Sequence, residues 1–136
     1  MGQQQLLLIV LGVIVVGIAV VVGINLFNAN AESATQDSLV SQGTSLGAIA
    51  QQYFKKPVAM GGGGNAFSTL NGGDGFGLYW TDAIPANLKT TPDAIWADPL
   101  VADSTVTLTA TPKDGAYTWT VETTITPTGI NSRVIQ

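Results

Sequence analysis

Few residues in this chain can do chemistry, and their types narrow what that chemistry could be. Its 136 residues include no His and no Cys. The commonest general base and the imidazole metal ligand are therefore missing. So are a thiol nucleophile, a disulfide framework, a zinc finger and an iron–sulfur cluster. Among the acids, Asp93, Asp98 and Asp103 fall in a Pro-interrupted stretch that implies no cleft. Paired carboxylates can cleave glycosides, but acids in such a loop read as solvated. Asn71-Gly72-Gly73-Asp74-Gly75-Phe76-Gly77, followed by Asp82, has the form of a calcium loop, with oxygen ligands on a Gly-rich turn. Asp74 and Asp82 are its candidate ligands. The spacing is not that of an EF-hand, so a plain turn is the competing reading. Gly61–Gly64 before Asn65 lacks the Lys and Ser/Thr of a phosphate loop and reads as a flexible hinge. The serines have no His to activate them, and nothing supports a Ser–Lys pair. Tyr79, Trp80, Trp96, Tyr117 and Trp119 read as packing residues. Neither an enzyme nor a cofactor is expected. Five bases against nine acids, net −4, exclude a nucleic-acid surface, which needs clustered Lys and Arg.

The dominant signal is physical rather than catalytic. No charged residue precedes Glu32, and no base precedes Lys55. Seventeen of the 22 residues from Leu6 to Phe27 are Leu, Ile, Val or Phe. As a helix this stretch is about 33 Å long, which matches a hydrocarbon core of about 30 Å. Membrane insertion of those side chains is worth about 5–10 kcal/mol at bilayer-centre values. A buried strand would be shorter, and the remaining chain is too small to wrap an all-round apolar helix. A cleaved secretory signal is the main rival, with Ala29-Asn30-Ala31 as its small-x-small site. The apolar run is long for such a signal and has no basic flank.

The helix is expected to continue past the span, because no Pro occurs before Pro57. Leu39, Leu46, Ala50 and Tyr53, with Val40, Ile49 and Phe54 alongside, recur at helical spacings and make one apolar stripe. Gly43 and Gly47 weaken this helix without breaking it. Lys55 and Lys56 suit its C-terminal end, and Pro57 and the glycine run stop it. A helix over residues 3–54 would be about 78 Å long.

A sheet is expected to cover the stripe. Ser104–Thr111 alternates strictly, with Val106, Leu108 and Ala110 on one face and Thr105, Thr107, Thr109 and Thr111 on the other. Residues 112–115 signal a turn. In the next strand Tyr117, Trp119, Val121 and Ile125 face opposite to Thr118, Thr120, Glu122, Thr124 and Thr126. This is a hairpin with one buried and one wet face. The Thr-rich wet face reads as β-propensity, with O-glycosylation as the alternative. Residues 66–70 and 76–81 are expected as short strands. Residues 82–103 are expected as loop, with a helical turn near 92–96, and Ser132–Ile135 as a closing strand.

The expected fold class is therefore α+β: a long N-terminal α-helix, apolar in its first half and amphipathic in its second, packed against a small antiparallel β-sheet head. Residues 1–30 form the apolar transmembrane or filament-core helix. Residues 31–136 form the head, with the amphipathic helix over 31–56 and the sheet over 66–136.

Gly2-Gln3-Gln4-Gln5, the apolar run Leu6–Phe27 and its continuation to Phe54 together resemble a type IV pilin or pseudopilin. The resemblance implies processing between Gly2 and Gln3. It also implies an inner-membrane-anchored precursor, a pilus assembly machinery as partner, and a helical homopolymer at the cell surface. The assembly residues it implies are Leu6, Leu7, Leu8, Ile9, Leu11, Val13, Ile14, Val16, Ile18, Val20, Val21, Ile24 and Phe27. The sequence departs from the family at Gln3, where an aromatic residue is usual, and at Leu7, where Glu is usual. The kinking Pro and the C-terminal cysteine bridge are absent as well. Two other functions stay open: a minor pseudopilin of a secretion or DNA-uptake system, and a monomeric single-span membrane protein displaying a small binding domain.

Overall fold

The computed structural model describes residues 2–136. Helix α1 runs unbroken over Gly2–Lys55. It is unbroken because no Pro interrupts it, and because Gly12, Gly17, Gly23, Gly43 and Gly47 are isolated, each a local cost of about 1 kcal/mol. By contacts the chain divides into two compact units, one ending at Ala34 and the other spanning Thr35–Gln136.

In the second unit, α1 contributes the predicted stripe. Leu39, Leu46, Ala50 and Tyr53 are buried, and Val40, Ile49 and Phe54 pack against the same core. The stripe meets a five-stranded antiparallel sheet made of β1 (Ala94–Trp96), β2 (Leu100–Val101), β3 (Val106–Pro112), β4 (Thr120–Ile125) and β5 (Ile130–Ile135). The main order is β1-β3-β4-β5, and β2 also pairs with β3. In the hairpin register Val106 opposes Ile125 and Ala110 opposes Val121. Val106, Leu108, Ala110, Val121 and Ile125 are all buried, so the period-2 pattern sets the inward face as expected. Thr123 shares that face and is fully buried, its hydroxyl 2.9 Å from that of Ser132. Polar pins cross from helix to sheet as well. Gln51 donates to the Thr126 carbonyl at 2.9 Å, and Gln42 accepts from Thr91 at 3.2 Å.

Several local expectations are corrected. Residues 66–70 form turns rather than a strand, and the sheet begins at Ala94, so it does not extend over 66–136. Phe76–Asp82 is a helix, α2, not a strand. Its pattern is helical: Phe76 and Trp80, four apart, are buried, whereas Leu78 is 50% exposed, where alternation would have buried it. A short apolar run cannot be assigned by periodicity alone. The helical turn lies at Ala86–Lys89 (α3), directly after Pro85, not at 92–96. Residues 94–96 are instead strand β1, because pairing with Ala110–Pro112 buries Ala94 and Trp96 together. The closing strand starts at Ile130, two residues earlier than expected. The glycine run is not a hinge. Gly63, Gly64 and Asn65 donate to the Tyr53, Lys56 and Phe54 carbonyls at 2.8, 3.0 and 2.7 Å, and so satisfy the orphan acceptors at the end of α1. A Cβ at Gly63 would lie 1.9 Å from the Ala66 carbonyl oxygen, so only glycine fits this cap.

Candidate assembly surface

The residues singled out as an assembly surface form the first half of α1. Leu6, Leu7, Leu8, Ile9, Leu11, Val13, Ile14, Val16, Ile18, Val20, Val21, Ile24 and Phe27 are each at least half exposed, from 53% at Ile14 to 73% at Phe27. Val10, Val15, Val22 and Leu26 are equally exposed and belong to the same surface. Hydrophobic side chains therefore occur on every side of this segment, with no polar stripe between them. A Cβ added at Gly12, Gly17 or Gly23 would meet nothing within 4 Å. These glycines leave shallow places where another helix can approach closely. By length and composition α1 can cross a membrane, and it is compatible with membrane anchoring. Gly2 and Gln3 lie exposed in the first turn of the helix.

The candidate cation ligands behave differently from the other acids. Asp74 and Asp82, eight residues apart, line one cavity of about 140 Å³ together with Tyr53. Asp82 is the last residue of helix α2, Asp74 lies two residues before its first, and both are exposed. Among the described residues no group of three or more acids is suited to hold a metal. Asp93 accepts a hydrogen bond from Ser38 at 3.2 Å. Asp103 accepts one from Ser68, and its backbone carbonyl accepts from Phe67 at 3.0 Å, which ties the 66–70 turns to the strands. Both acids thus tie separate segments of the head together.

Tyr53 joins an aromatic cluster at the end of α1. Its ring centre is 5.6 Å from Phe76 and 4.8 Å from Tyr79, and Phe54 lies 4.8 Å from Phe67. Tyr53 is 2% exposed, and its hydroxyl has no hydrogen bond. Burial raises the pKa of this phenol; the Gly75 backbone amide, outside normal hydrogen-bond geometry, opposes the rise, and the Asp74 carboxylate and Tyr79 add to it. Sequence reasoning identified Tyr53 only as part of the stripe. Its proximity to Asp74 depends on the glycine cap folding back, which no local pattern announces.

No family model matches the chain, and no curated protein or solved structure matches it. The architecture in hand is a long N-terminal helix, apolar in its first half, whose second half packs on a small antiparallel sheet. That architecture is compatible with a pilin.

Proposed function

We propose that this chain is a structural subunit of an extracellular filament of the type IV pilin kind, polymerising through residues 6–27 of its apolar helix. The observation that carries the reading is the exposure of seventeen large apolar side chains on that segment. Each is worth about 1.5–3 kcal/mol on removal from water, so the segment cannot remain solvated. A bilayer meets the need before assembly. After extraction, identical helices meet it, because an all-round apolar helix in a bundle is covered on every face by copies of itself. The interior of such a fibre is as dry as lipid, so transfer from one to the other loses little hydrophobic stabilisation. The assembly machinery, the processing between Gly2 and Gln3 and the cell-surface location belong to this proposal.

The test is electron microscopy of sheared cell-surface material, with mass analysis of the subunit's N-terminus, for the wild type and for Val16→Asp. Val16 is 62% exposed and lies mid-segment. A carboxylate there has no partner in a bundle and costs several kcal/mol to bury. The wild type gives fibres containing this chain, and the variant gives none while its head stays folded. Normal fibres from Val16→Asp refute the bundle. Wild-type chain found only in the membrane, as single copies, favours a solitary anchor displaying a binding domain. A chain starting beyond Ala31 identifies the segment as a removed signal.

A further inference from the structure

The sheet covers one side of α1 within the head, through Leu39, Gly43, Leu46, Ala50 and Tyr53. The opposite side is exposed, and Asp37 and Lys55 mark its two ends. They are eighteen residues apart, five full turns at about 3.6 residues per turn, so they lie on one line of the helix about 27 Å from each other. Ser41, Thr44 and Ala48, all small and uncharged, occupy the exposed surface between them. Thr44 and Ser45 turn their hydroxyls onto the Val40 and Ser41 carbonyls at 3.0 and 3.1 Å, so this face can lose water without leaving them unpaired. Among the described residues the one salt bridge joins Arg133 to Glu122, so neither Asp37 nor Lys55 is ion-paired within the subunit.

We propose that this face docks against a second copy of the chain, displaced along the helix axis until Lys55 of one copy meets Asp37 of the next. The inference rests on the filament reading and adds to it the axial offset between copies. Opposite charges on one line can pair in two ways. An antiparallel pair of helices closes after two copies, but it sends the two apolar segments in opposite directions, and they cannot then share one bilayer or one bundle with both heads on the same side. Parallel copies in register set Asp37 against Asp37 and Lys55 against Lys55, and like charges repel. A parallel copy shifted by eighteen residues matches opposite charges at both ends, so Lys55 meets one neighbour and Asp37 another. That contact is heterologous and does not close on itself, which is what a filament requires. An exposed ion pair adds little affinity; what it supplies is register. Copies at other offsets cover residues 6–27.

The test uses fibres sheared from cells. The chain has no cysteine, so Asp37→Cys combined with Lys55→Cys reads oxidative cross-linking against a clean background. The two sites cannot bridge within one chain, because a disulfide needs Cα atoms about 4.4–6.8 Å apart. Oxidised fibres of the double variant give a ladder of dimers, trimers and longer products on a denaturing gel, and either single variant gives monomer only. Independently, Asp37→Lys and Lys55→Asp each lower the fibre yield severalfold, and the two together restore it. Circular dichroism in detergent micelles checks that the heads are folded. Dimers from Asp37→Cys alone place the copies in register and overturn the offset. Products of the double variant that stop at dimers overturn it too, since they mark an antiparallel pair, and so does monomer alone. A charge-reversed double variant that assembles no better than either single one has the same consequence. Each of these outcomes leaves the filament reading standing, whereas a wild type without fibres removes that reading and the offset with it.

Discussion

Replacing Gly43 by Ala tests how closely α1 lies on the sheet. In a solvent-exposed helix this change stabilises by about 1 kcal/mol, since Gly is a poor helix former. Here the added Cβ would sit 2.3 Å from the Thr123 hydroxyl oxygen, 3.0 Å from Cη2 of Trp96 and 3.3 Å from the Thr123 Cβ. None of these neighbours is free to give way. Thr123 is fully buried in the middle of β4, and its hydroxyl pairs with Ser132. Trp96 is 3% exposed and extends its indole nitrogen toward Gln42. The helix must lift or Thr123 must turn. Overpacking of this kind costs about 1–3 kcal/mol, and losing the Thr123–Ser132 bond adds about 1 kcal/mol. Set against the helix-propensity gain, the net destabilisation is about 1–3 kcal/mol. Urea unfolding of the micelle-held chain, followed by Trp fluorescence, reads this as a lower midpoint with an unchanged slope. Gly43→Ala combined with Thr123→Ala removes the clashing oxygen, so the pair loses less than the sum of the single changes. By contrast, Gly12→Ala, Gly17→Ala and Gly23→Ala have no neighbour to meet within the subunit. They leave the head's unfolding midpoint unchanged. A Gly43→Ala protein as stable as the wild type would refute the close approach.

Two further outcomes follow from the same structure. Leu39 is fully buried at the start of the stripe, so Leu39→Ala costs about 2–5 kcal/mol, measured by the same unfolding experiment. A cost below about 0.5 kcal/mol would mean that the helix is not seated there. Arg133 pairs with Glu122 at 2.7 Å on the wet face, where Arg133 is 68% exposed. Arg133→Ala therefore costs less than about 1 kcal/mol, and the difference from wild type shrinks in molar salt.

The sequence made the large elements legible because each rests on a long pattern. Seventeen apolar residues without a charge, a Pro-free continuation and a sustained 3–4 spacing leave no alternative to α1. Two alternations around a turn announce the β3–β4 hairpin, although Pro112 still belongs to β3 and β4 starts only at Thr120, so Tyr117 and Trp119 lie before the strand rather than in it. Short segments were misread for the converse reason. Phe76–Asp82 is seven residues long with three aromatics, and its helical state is decided by burying Phe76 and Trp80 on one side, with Phe76 against Tyr53 and Phe67. Residues 94–96 become a strand only because β3 offers a free edge. The candidate site was half visible. Asp74 and Asp82 could be picked out by type and loop chemistry. Tyr53 could not, because its place beside them depends on a glycine cap that reads in sequence as mere flexibility.

Glycine is the residue whose meaning changes most along this chain, and the change separates the two units. At Gly12, Gly17 and Gly23 a missing Cβ leaves open space, available to a neighbouring helix. At Gly43 and Gly47 that space is already filled, by Thr123 and Trp96 in one case and by Ile130 in the other. The same helix thus carries two kinds of close-approach point: one filled by its own chain, and one left open. The filled points lie where the apolar residues narrow to a stripe, and the open ones where they surround the helix. A helix built only to anchor the head in lipid needs apolar bulk, and its glycines lower its helix propensity without return. Close packing against other helices gives them a use, since small residues let backbones approach where lipid supplies no hydrophobic driving force between helices. Gly17→Leu therefore separates the readings more finely than a charge does. It makes the span more apolar, so a solitary anchor retains or improves its membrane insertion. In a bundle it fills the approach point, and the yield of sheared fibres falls.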